Sequence, residues 1–301
     1  MPIPARYPLL FNPKARSQRA QKTARFIFER ATRFVLYATS SPEEARDLAA
    51  KFVADGEPIV VAAGGDGTLN AVLQGLVGSQ TALGVIPSGT MNVFARELGI
   101  PFGKLDMAFD IIEKGFIREI DLFEVNASPF MQMAGLGFDA MVIEETTWES
   151  KKMLGPLAYL LAAVKVLGEK PPLMEVITAE GRREEGVAVL VGNGSLYGGQ
   201  FRLFRMASNQ DELLDVLIFK ESGYRFVYES LKGLVKGGID MASSVIHLQS
   251  AEFTVRCDSD FPLQIDGELL GRAKEAAFRM AKSRLRVVAP ENPLDSIVIK
   301  P

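Results

Sequence analysis

The sequence predicts an α/β domain with a parallel, Rossmann-like sheet, followed by a mainly antiparallel β domain. The chain has 301 residues, which is enough for about two domains of ordinary size. In its first third, short apolar runs alternate with helical patterns, as in parallel sheets with helical crossovers. Further along, β-prone runs follow one another with turn residues between them. We expect the first domain over residues 1–124, the second over 125–289, and a return of the tail 290–301 to the first.

Apolar runs predict the strands of the first domain, at Tyr7–Asn12, Phe34–Ala38, Pro58–Ala63 and Leu83–Ile86. Helical patterns separate them, at Ser17–Arg33, from Ser41 onward, and at Leu69–Val77. The third run contains no polar residue, which predicts a strand buried on both faces. The second helix should start at Ser41, because serine caps helices and Pro42 suits the first helical position. Sheets of this kind bind ligands at the carboxyl ends of their strands.

The second domain has β-prone runs at Phe130–Met133, Pro172–Thr178, Val187–Gly192, Asp215–Phe219, Ala251–Cys257, Phe261–Ile265 and Ala277–Val288. Glycine turns separate most of them, which favours antiparallel pairing. Helical patterns are few, at Leu157–Leu167 and Tyr224–Leu234, and one more short β-prone run lies at Ser296–Lys300.

Composition excludes several classes of function. The net charge of −3 gives no basic field that would hold nucleic acid. The single cysteine, Cys257, excludes a disulfide framework, and the single histidine, His247, excludes a histidine metal cluster. The longest apolar stretch, Leu154–Gly168, contains Lys165 and is shorter than the roughly 20 residues of a membrane span. A cytoplasmic protein that uses carboxylates, backbone amides or basic groups is the simplest expectation.

Two glycine turns follow neighbouring predicted strands. The first, GGDGTLN at residues 64–70, joins a buried strand to a helix, where backbone N–H groups can bind a phosphate. It lacks the G-K-[ST] element of a Walker A loop, and a glycine-rich turn without a ligand is the simpler alternative. The second, PSGTMNVFAR at residues 87–96, places another Gly-Thr turn at the same edge of the sheet. Together the two turns predict a phosphate site.

These motifs resemble the diacylglycerol kinase catalytic-domain family, in particular its soluble bacterial lipid kinases. Asn12-Pro13, GLGFDA at 135–140, VGNG at 191–194 and QIDGE at 264–268 match that family in the same order. The resemblance implies the fold shared by diacylglycerol kinases and NAD kinases, ATP as co-substrate, Mg²⁺, a membrane lipid as substrate and transient contact with the membrane surface. It also implies a homodimer.

The resemblance further implies which residues form the nucleotide site. They are Asn12, Thr39, Gly64, Gly65, Asp66, Gly67, Thr68, Asn70, Ser88, Gly89, Thr90 and Asn92. For Thr39, helix capping is the alternative. Val93 stands where many members of the family have an aspartate that is thought to join a metal network.

The turn Asp266-Gly267-Glu268 carries the catalytic carboxylates in the family. A lipid hydroxyl has a high pKa, so a carboxylate must accept its proton during phosphoryl transfer. We assign Asp266 as the base and Glu268 as its charge partner, with the reverse order left open. Because Asp-Gly is also a common hairpin pair, a purely structural turn is the alternative.

The resemblance also implies a magnesium loop. Asp211 would be a ligand, with the backbone carbonyls of Ser208 and Leu213, and these oxygen donors suit Mg²⁺. Glu212 departs from the family pattern Asp-Gly-x-Leu, so the loop is expected to differ in detail.

Three functions follow, of which the first is preferred. The first is an ATP-dependent lipid kinase, most simply for diacylglycerol. The second is an NAD kinase, which shares the GGDGT loop. The third is a nucleotide-binding regulator without turnover, which Val93 keeps open. The basic stretch Lys14–Arg33 would attract anionic lipid headgroups, although a solvated helix face is the simpler interpretation.

Overall fold

The computed structural model describes residues 6–13, 25–27, 33–145, 171–199, 201–221, 225 and 242–291. Several predicted segments lie outside these residues. They are the helix at 157–167, the run at 296–300, and most of the residues of the helices at 17–33 and 224–234. The chain divides into two compact units. The first comprises residues 1–122, 198–200 and 282–301, and the second comprises residues 123–197 and 201–281. No helix among the described residues is both long and apolar enough to cross a membrane.

The first unit contains a six-stranded sheet with the order β2-β1-β3-β4-β18-β5. Its strands are β1 (Tyr7–Phe11), β2 (Phe34–Ala38), β3 (Ile59–Gly64), β4 (Ala82–Pro87), β5 (Ile117–Ile120) and β18 (Leu285–Val288). Its helices are α1 (Pro42–Ala54), α2 (Asp66–Leu76), α3 (Val93–Glu97) and α4 (Leu105–Lys114). All pairings are parallel except that of β18 with β5, which is antiparallel. The predicted α/β fold with a mostly parallel sheet is confirmed.

The register of the parallel strands aligns their carboxyl ends. Phe11 of β1 lies opposite Ala38 of β2 and Ala63 of β3, and Ala63 lies opposite Ile86 of β4. The next residue along each chain therefore leaves the sheet at the same level. β3 and β4 are buried at every position, as their apolar sequences predict.

The second unit contains a ten-stranded sheet. Its main path runs β15-β14-β11-β8-β16-β17-β6-β7, and β9 pairs with both β10 and β16. Its strands are β6 (Phe123–Val125), β7 (Ser128–Phe130), β8 (Met133–Gly137), β9 (Met174–Thr178), β10 (Arg183–Gly186), β11 (Ala188–Gly192), β14 (Leu214–Phe219), β15 (Val245–Ser250), β16 (Phe253–Ile265) and β17 (Glu268–Met280). A two-stranded ribbon, β12 (Leu196–Tyr197) with β13 (Phe201–Arg202), and the helix α5 (Phe138–Glu145) complete it. Every pairing in this unit is antiparallel, which confirms the predicted class.

Two predicted strand boundaries in the second half differ from the structure. The runs 251–257 and 261–265 form one strand, β16, because its pairing with β17 continues across a register shift between Arg256 and Phe261. The run 277–288 is divided between β17 and β18. The chain therefore rejoins the first unit at Lys282, whereas we predicted its return at residue 290. The reason is that β18 pairs with β4 and β5, which buries Leu285 and Val287 in the first sheet.

Candidate active site

Two glycine loops meet at the carboxyl edge of the first sheet. The loop after β3 and the loop after β4 approach through their backbones, and Ser88 N donates to Gly64 O at 3.0 Å. A Cβ added at Gly89 would lie 2.4 Å from the Gly65 Cα, and a Cβ added at Gly65 would lie 3.2 Å from the Gly89 Cα. The first distance is shorter than real Cβ contacts permit, so glycine at position 89 is a steric requirement of this contact.

The first loop leads directly into the N-terminus of α2. Gly65 is the N-cap residue, so no side chain caps this helix. The Thr68 side chain lies over Gly64, where a Cβ would be only 2.3 Å from the Thr68 Cβ. The predicted residues Gly64, Gly65, Asp66, Gly67 and Thr68 are thus placed at a helix start that follows a buried strand, and such a start attracts anions.

Asp66 connects the two loops. Its Oδ1 accepts the backbone N–H of Phe94 at 3.2 Å, within the first turn of α3. The side chain of the N-cap residue of that helix, Asn92, makes no capping hydrogen bond to α3, so Asp66 caps α3 from a different element. Burial raises the pKa of Asp66, while the N–H groups of Phe94 and Val93 act in the opposite direction. Because the contact uses the backbone of residues 93 and 94, the valine side chain at position 93 does not remove it.

The second loop is held by Asn92. Its backbone is left-handed, with φ +48°, and the residue is fully buried. The Asn92 side chain accepts from Gly89 N at 3.0 Å and donates to Gly89 O at 2.8 Å. We predicted Asn92 as a nucleotide contact, and the geometry makes it a support of the loop. Ser88 is also buried, whereas Thr90 is exposed.

The remaining predicted nucleotide residues lie at neighbouring strand ends or one turn into α2. Asn12 and Thr39 directly follow β1 and β2, at the level where Gly64 ends β3. Thr39 is buried, and its backbone N–H donates to Phe11 O at 2.9 Å. Asn70 is buried in α2 and accepts from Gln74 Nε2 at 3.1 Å. The register therefore places Asn12, Thr39 and Gly64 in one row.

In the second unit, the turn Asp266-Gly267 joins β16 to β17. Both residues have positive φ, +50° and +83°, and Ile265 pairs with Glu268, which is the geometry of a type I′ hairpin. The Asp266 carboxylate accepts three backbone N–H groups. Oδ2 accepts from Met131 at 2.9 Å, and Oδ1 accepts from Gln132 at 2.9 Å and Met133 at 3.1 Å. This carboxylate is therefore held in one orientation by the segment that precedes β8.

The Glu268 carboxylate differs from that of Asp266. Glu268 is exposed, and within the described part of the chain its carboxylate forms no hydrogen bond or ion pair. Two carboxylates separated by one glycine thus have different surroundings, one fixed by backbone donors and one in solvent.

A buried polar network supports this turn, and our sequence analysis did not assign it. Gln264 Oε1 accepts from Gly267 N at 2.9 Å, and Gln264 Nε2 donates to Asp139 Oδ2 at 2.9 Å. Tyr197 donates its hydroxyl proton to the other Asp139 oxygen. Burial raises the pKa of Asp139, while these two hydrogen bonds act in the opposite direction. The available signal was a single polar residue in each of two apolar runs, FDAMVI and FPLQI.

The predicted metal loop precedes β14. Asp211 and Ser208 are exposed, and Asp211 Oδ1 accepts from Leu213 N at 3.1 Å. Glu212 adopts φ +63°, a left-handed conformation that favours glycine, which is the residue of the family pattern at this position. Among the described residues, no three or more His, Cys, Asp or Glu side chains converge to hold a metal. A cation here would thus use one carboxylate together with backbone carbonyls and water, a donor set that suits Mg²⁺.

Comparison with known proteins agrees with the fold and the order of the motifs. The family model described as the diacylglycerol kinase catalytic domain matches residues 6–125. The model described as the YegS C-terminal NAD kinase beta sandwich-like domain matches residues 132–289. The chain therefore belongs to the diacylglycerol kinase family of lipid kinases, with the two-domain arrangement of its YegS-like members.

Individual relatives support this membership. A diacylglycerol kinase from Bacillus subtilis is 30% identical over 79% of this chain and 80% of its own length. A YegS-like lipid kinase from Pseudomonas aeruginosa is 32% identical over 82% of both chains. The fold is similar to a crystal structure of a diacylglycerol kinase from Bacillus anthracis, with a TM-score of 0.77 at 20% identity, covering 95% of this chain and 97% of that one. An NAD kinase from Archaeoglobus fulgidus, solved in complex with ATP, gives a TM-score of 0.52 at 11% identity over 97% and 96% of the two chains.

Proposed function

We propose that the chain is an ATP-dependent lipid kinase, which transfers the γ-phosphoryl group of ATP to the hydroxyl of diacylglycerol or a related lipid. The observation that carries the proposal is the contact of Gly65 with Gly89 at the carboxyl edge of the first sheet. Because no side chain stands at this contact, the loop after β3 can offer its backbone N–H groups and the uncapped start of α2 to a polyphosphate. Membership of the lipid kinase family supports the class of acceptor.

The residues around these loops have distinct proposed roles. The backbone of residues 64–68 binds the phosphates, with the Thr68 hydroxyl beside it. Asn12 and Thr39 bind the nucleotide from the neighbouring strand ends. Asp66 and Asn92 position the second loop relative to the first. Since phosphoryl transfer depends mainly on positioning and on the stabilisation of charge, this rigid pair of loops is suited to the reaction.

The carboxylates of the turn Asp266-Gly267-Glu268 are proposed to accept the proton of the lipid hydroxyl. In our assignment Asp266 is the base and Glu268 its charge partner. The three N–H groups that donate to Asp266 fix the orientation of its carboxylate before a substrate binds. The exposed Glu268 is the rival base, and the variants Asp266→Asn and Glu268→Gln distinguish the two assignments.

Magnesium is proposed to bind the loop that contains Ser208, Asp211 and Leu213. When bound, Mg²⁺ supplies a fixed positive charge that neutralises Asp211 and stiffens the loop before β14. Asp211→Asn should therefore raise the magnesium concentration required for activity. Unchanged magnesium dependence would remove Asp211 from the site.

An assay of phosphoryl transfer tests the function. The protein is incubated with γ-labelled ATP and Mg²⁺, and with total lipid extract, defined diacylglycerol or NAD. We expect label in a chloroform-soluble phospholipid that depends on added lipid. Label in NADP instead would establish the NAD kinase alternative, and ATP binding without any labelled product would establish the regulator. The intact contact of Asp66 with the backbone of α3 favours turnover over the regulator, because Val93 leaves that contact in place.

A lipid substrate in a bilayer requires the enzyme to reach the membrane surface. We therefore propose transient, peripheral contact with the membrane. Assembly into a homodimer remains a prediction from the family, to be measured by sedimentation velocity.

A further inference from the structure

The strand β13 of the two-stranded ribbon and the loop that follows it present apolar side chains to solvent. Phe201 is 66% exposed and Met206 is 64% exposed, the two highest values among the exposed large hydrophobic side chains of the described residues. They lie five positions apart in one short segment. Two such side chains in one short segment expose apolar area that a folded protein usually buries, so this segment has the character of a contact surface.

The segment is anchored to the core of the second unit by its two central residues. Leu203 and Phe204, between the exposed residues, are buried in the core of the second unit, and their backbone N–H groups both donate to Ser195 O, at 3.0 and 3.2 Å. Phe204 packs on Gly192 so closely that a Cβ there would be 2.5 Å from the ring. Two fixed residues thus hold the outer pairs, Phe201-Arg202 and Arg205-Met206, on the surface.

The charge of the segment has one sign. Arg202 and Arg205 are both exposed, and each is next to one of the exposed apolar residues. From Gly186 to Gln210 the sequence contains no Asp or Glu, and the exposed Asp211 and Glu212 follow directly. Arginine beside an aromatic or thioether side chain is the combination that suits the interface of a bilayer with anionic headgroups, where apolar groups enter and cations bind phosphate.

We propose that Phe201, Arg202, Arg205 and Met206 form the membrane-docking surface of this protein, and that its occupant is a leaflet containing anionic phospholipid. This inference rests on the proposed function, because it identifies how a lipid kinase reaches its substrate. The apolar pair inserts among the acyl chains near the headgroups, and the two guanidinium groups bind lipid phosphates. No chemical step is involved.

Flotation of the full chain with vesicles tests the surface without ATP. The vesicles contain phosphatidylcholine alone or phosphatidylcholine with about one third phosphatidylglycerol. We expect Phe201→Ser/Met206→Ser to bind anionic vesicles at least about tenfold more weakly than the wild type. Arg202→Gln/Arg205→Gln should lose about tenfold on anionic vesicles and should match the wild type on neutral ones. Leu173→Ser is the control, because Leu173 is 57% exposed elsewhere on the same unit. It should bind as the wild type does.

The docking proposal and the proposed function can fail separately. Phosphorylation of a short-chain diacylglycerol dispersed in water should be equal in all these variants, because the surface acts only on bilayers. Absence of lipid phosphorylation together with the expected vesicle results would overturn the kinase and leave the docking surface. Failure of the wild type to bind anionic vesicles would overturn the docking surface, and so would binding by both double variants that equals that of the wild type. A sedimentation coefficient that differs between the double variants and the wild type, with unchanged vesicle binding, would also overturn it. That result would assign the patch to contact between two copies of the chain.

Discussion

Asp66 has two separable properties, an acceptor oxygen that caps α3 and a negative charge. Asp66→Ala removes both, and loss of the cap should lower the free energy of unfolding by about 1–2 kcal/mol. Asp66→Asn retains a carbonyl oxygen for Phe94 N and should unfold near the wild-type denaturant concentration. Urea unfolding of both variants measures the difference. Equal destabilisation of the two would mean that the charge, and not the cap, supports the loop. In the kinase assay we expect both variants to be impaired if the charge also acts in phosphoryl transfer.

The pH dependence of Asp66 follows from the direction of its shift. Burial raises the pKa of Asp66, so the folded protein favours the protonated form. The resulting stability is fully present below the unfolded-state pKa, about 3.9, and is lost as pH rises through the higher folded-state pKa. The wild type should therefore gain stability relative to Asp66→Asn as pH falls from neutral into the acidic range. A stability difference that is the same at pH 7 and near pH 4 would contradict this.

Asp266 and Glu268 should respond differently to loss of charge. Asp266→Asn places an amide NH₂ against backbone N–H donors, so the variant should lose about 2 kcal/mol of stability as well as activity. Glu268→Gln changes an exposed side chain and should leave the unfolding transition unchanged. Thermal unfolding of both variants, measured beside lipid phosphorylation, separates structure from chemistry. Full activity in both would remove this turn from catalysis. A fully folded but inactive Glu268→Gln beside an active Asp266→Asn would make Glu268 the base.

At the scale of elements, the contact between the two glycine loops should tolerate an added methyl group less well at Gly89 than at Gly65. Gly89→Ala would place a methyl group 2.4 Å from the Gly65 Cα, and the backbone must move to accept it. Gly65→Ala faces 3.2 Å across the same contact and requires a shift of only a few tenths of an ångström. We expect Gly89→Ala to weaken ATP binding at least about tenfold and Gly65→Ala to weaken it less. Calorimetry with ATP on both folded variants measures this. The opposite order would show that phosphate approach at Gly65, and not the contact of the loops, limits binding.

The elements themselves were predictable to different extents. The buried strands β3 and β4 follow from apolar runs with flanking turns, and α1 begins at Pro42 with Ser41 accepting from Glu44 N. The polar stretch Asp258–Asp260 indicates a loop, yet β16 continues through it, because pairing across a register shift outweighs local composition. The helix α4 was missed, although its buried positions follow a helical period and Gly115 ends it with φ +68°.

The candidate site, too, could be predicted from the sequence only in part. The two glycine loops could be placed at one edge of the sheet, because each follows a strand that the sequence predicts to be parallel. The three N–H donors to Asp266 could not, because they come from residues 131–133, far away in sequence. Neither could the capping of α3 by Asp66, since no local pattern connects position 66 with position 94. Contacts between distant segments depend on the assembled fold, which a local motif does not contain.

At the scale of the whole molecule, β18 completes the first sheet from a late part of the sequence. Arg284, which directly precedes β18, forms an ion pair with the fully buried Asp121, with 3.0 Å between Nε and Oδ1. Arg284→Gln removes this ion pair from a buried carboxylate. Since the Arg284 side chain is 38% exposed, the cost should be about 2 kcal/mol, below that of a fully buried pair.

Arg256→Gln is the control for this prediction. Arg256 lies on β16, and its Nε is 2.8 Å from an oxygen of Glu275, with the two side chains 57% and 52% exposed. We expect a change of at most about 0.5 kcal/mol on its replacement, because ion pairs in solvent contribute little. Urea unfolding of the two variants tests the pair. A loss with Arg256→Gln as large as that with Arg284→Gln would mean that the loss of any arginine charge, and not of the buried ion pair, is responsible.

The position of β18 also has a consequence for the order in which the protein is made. Before β18 leaves the ribosome, β4 has one unpaired edge and β5 has no partner in its sheet among the described strands. The ribosome must first add residues 121–284, which takes on the order of ten seconds at about 5–20 residues per second. During that interval the nascent chain carries an open, apolar sheet edge, which is a template for aggregation. The first domain in the sequence is thus the last to be finished, and its synthesis should depend on chaperones more than that of the second.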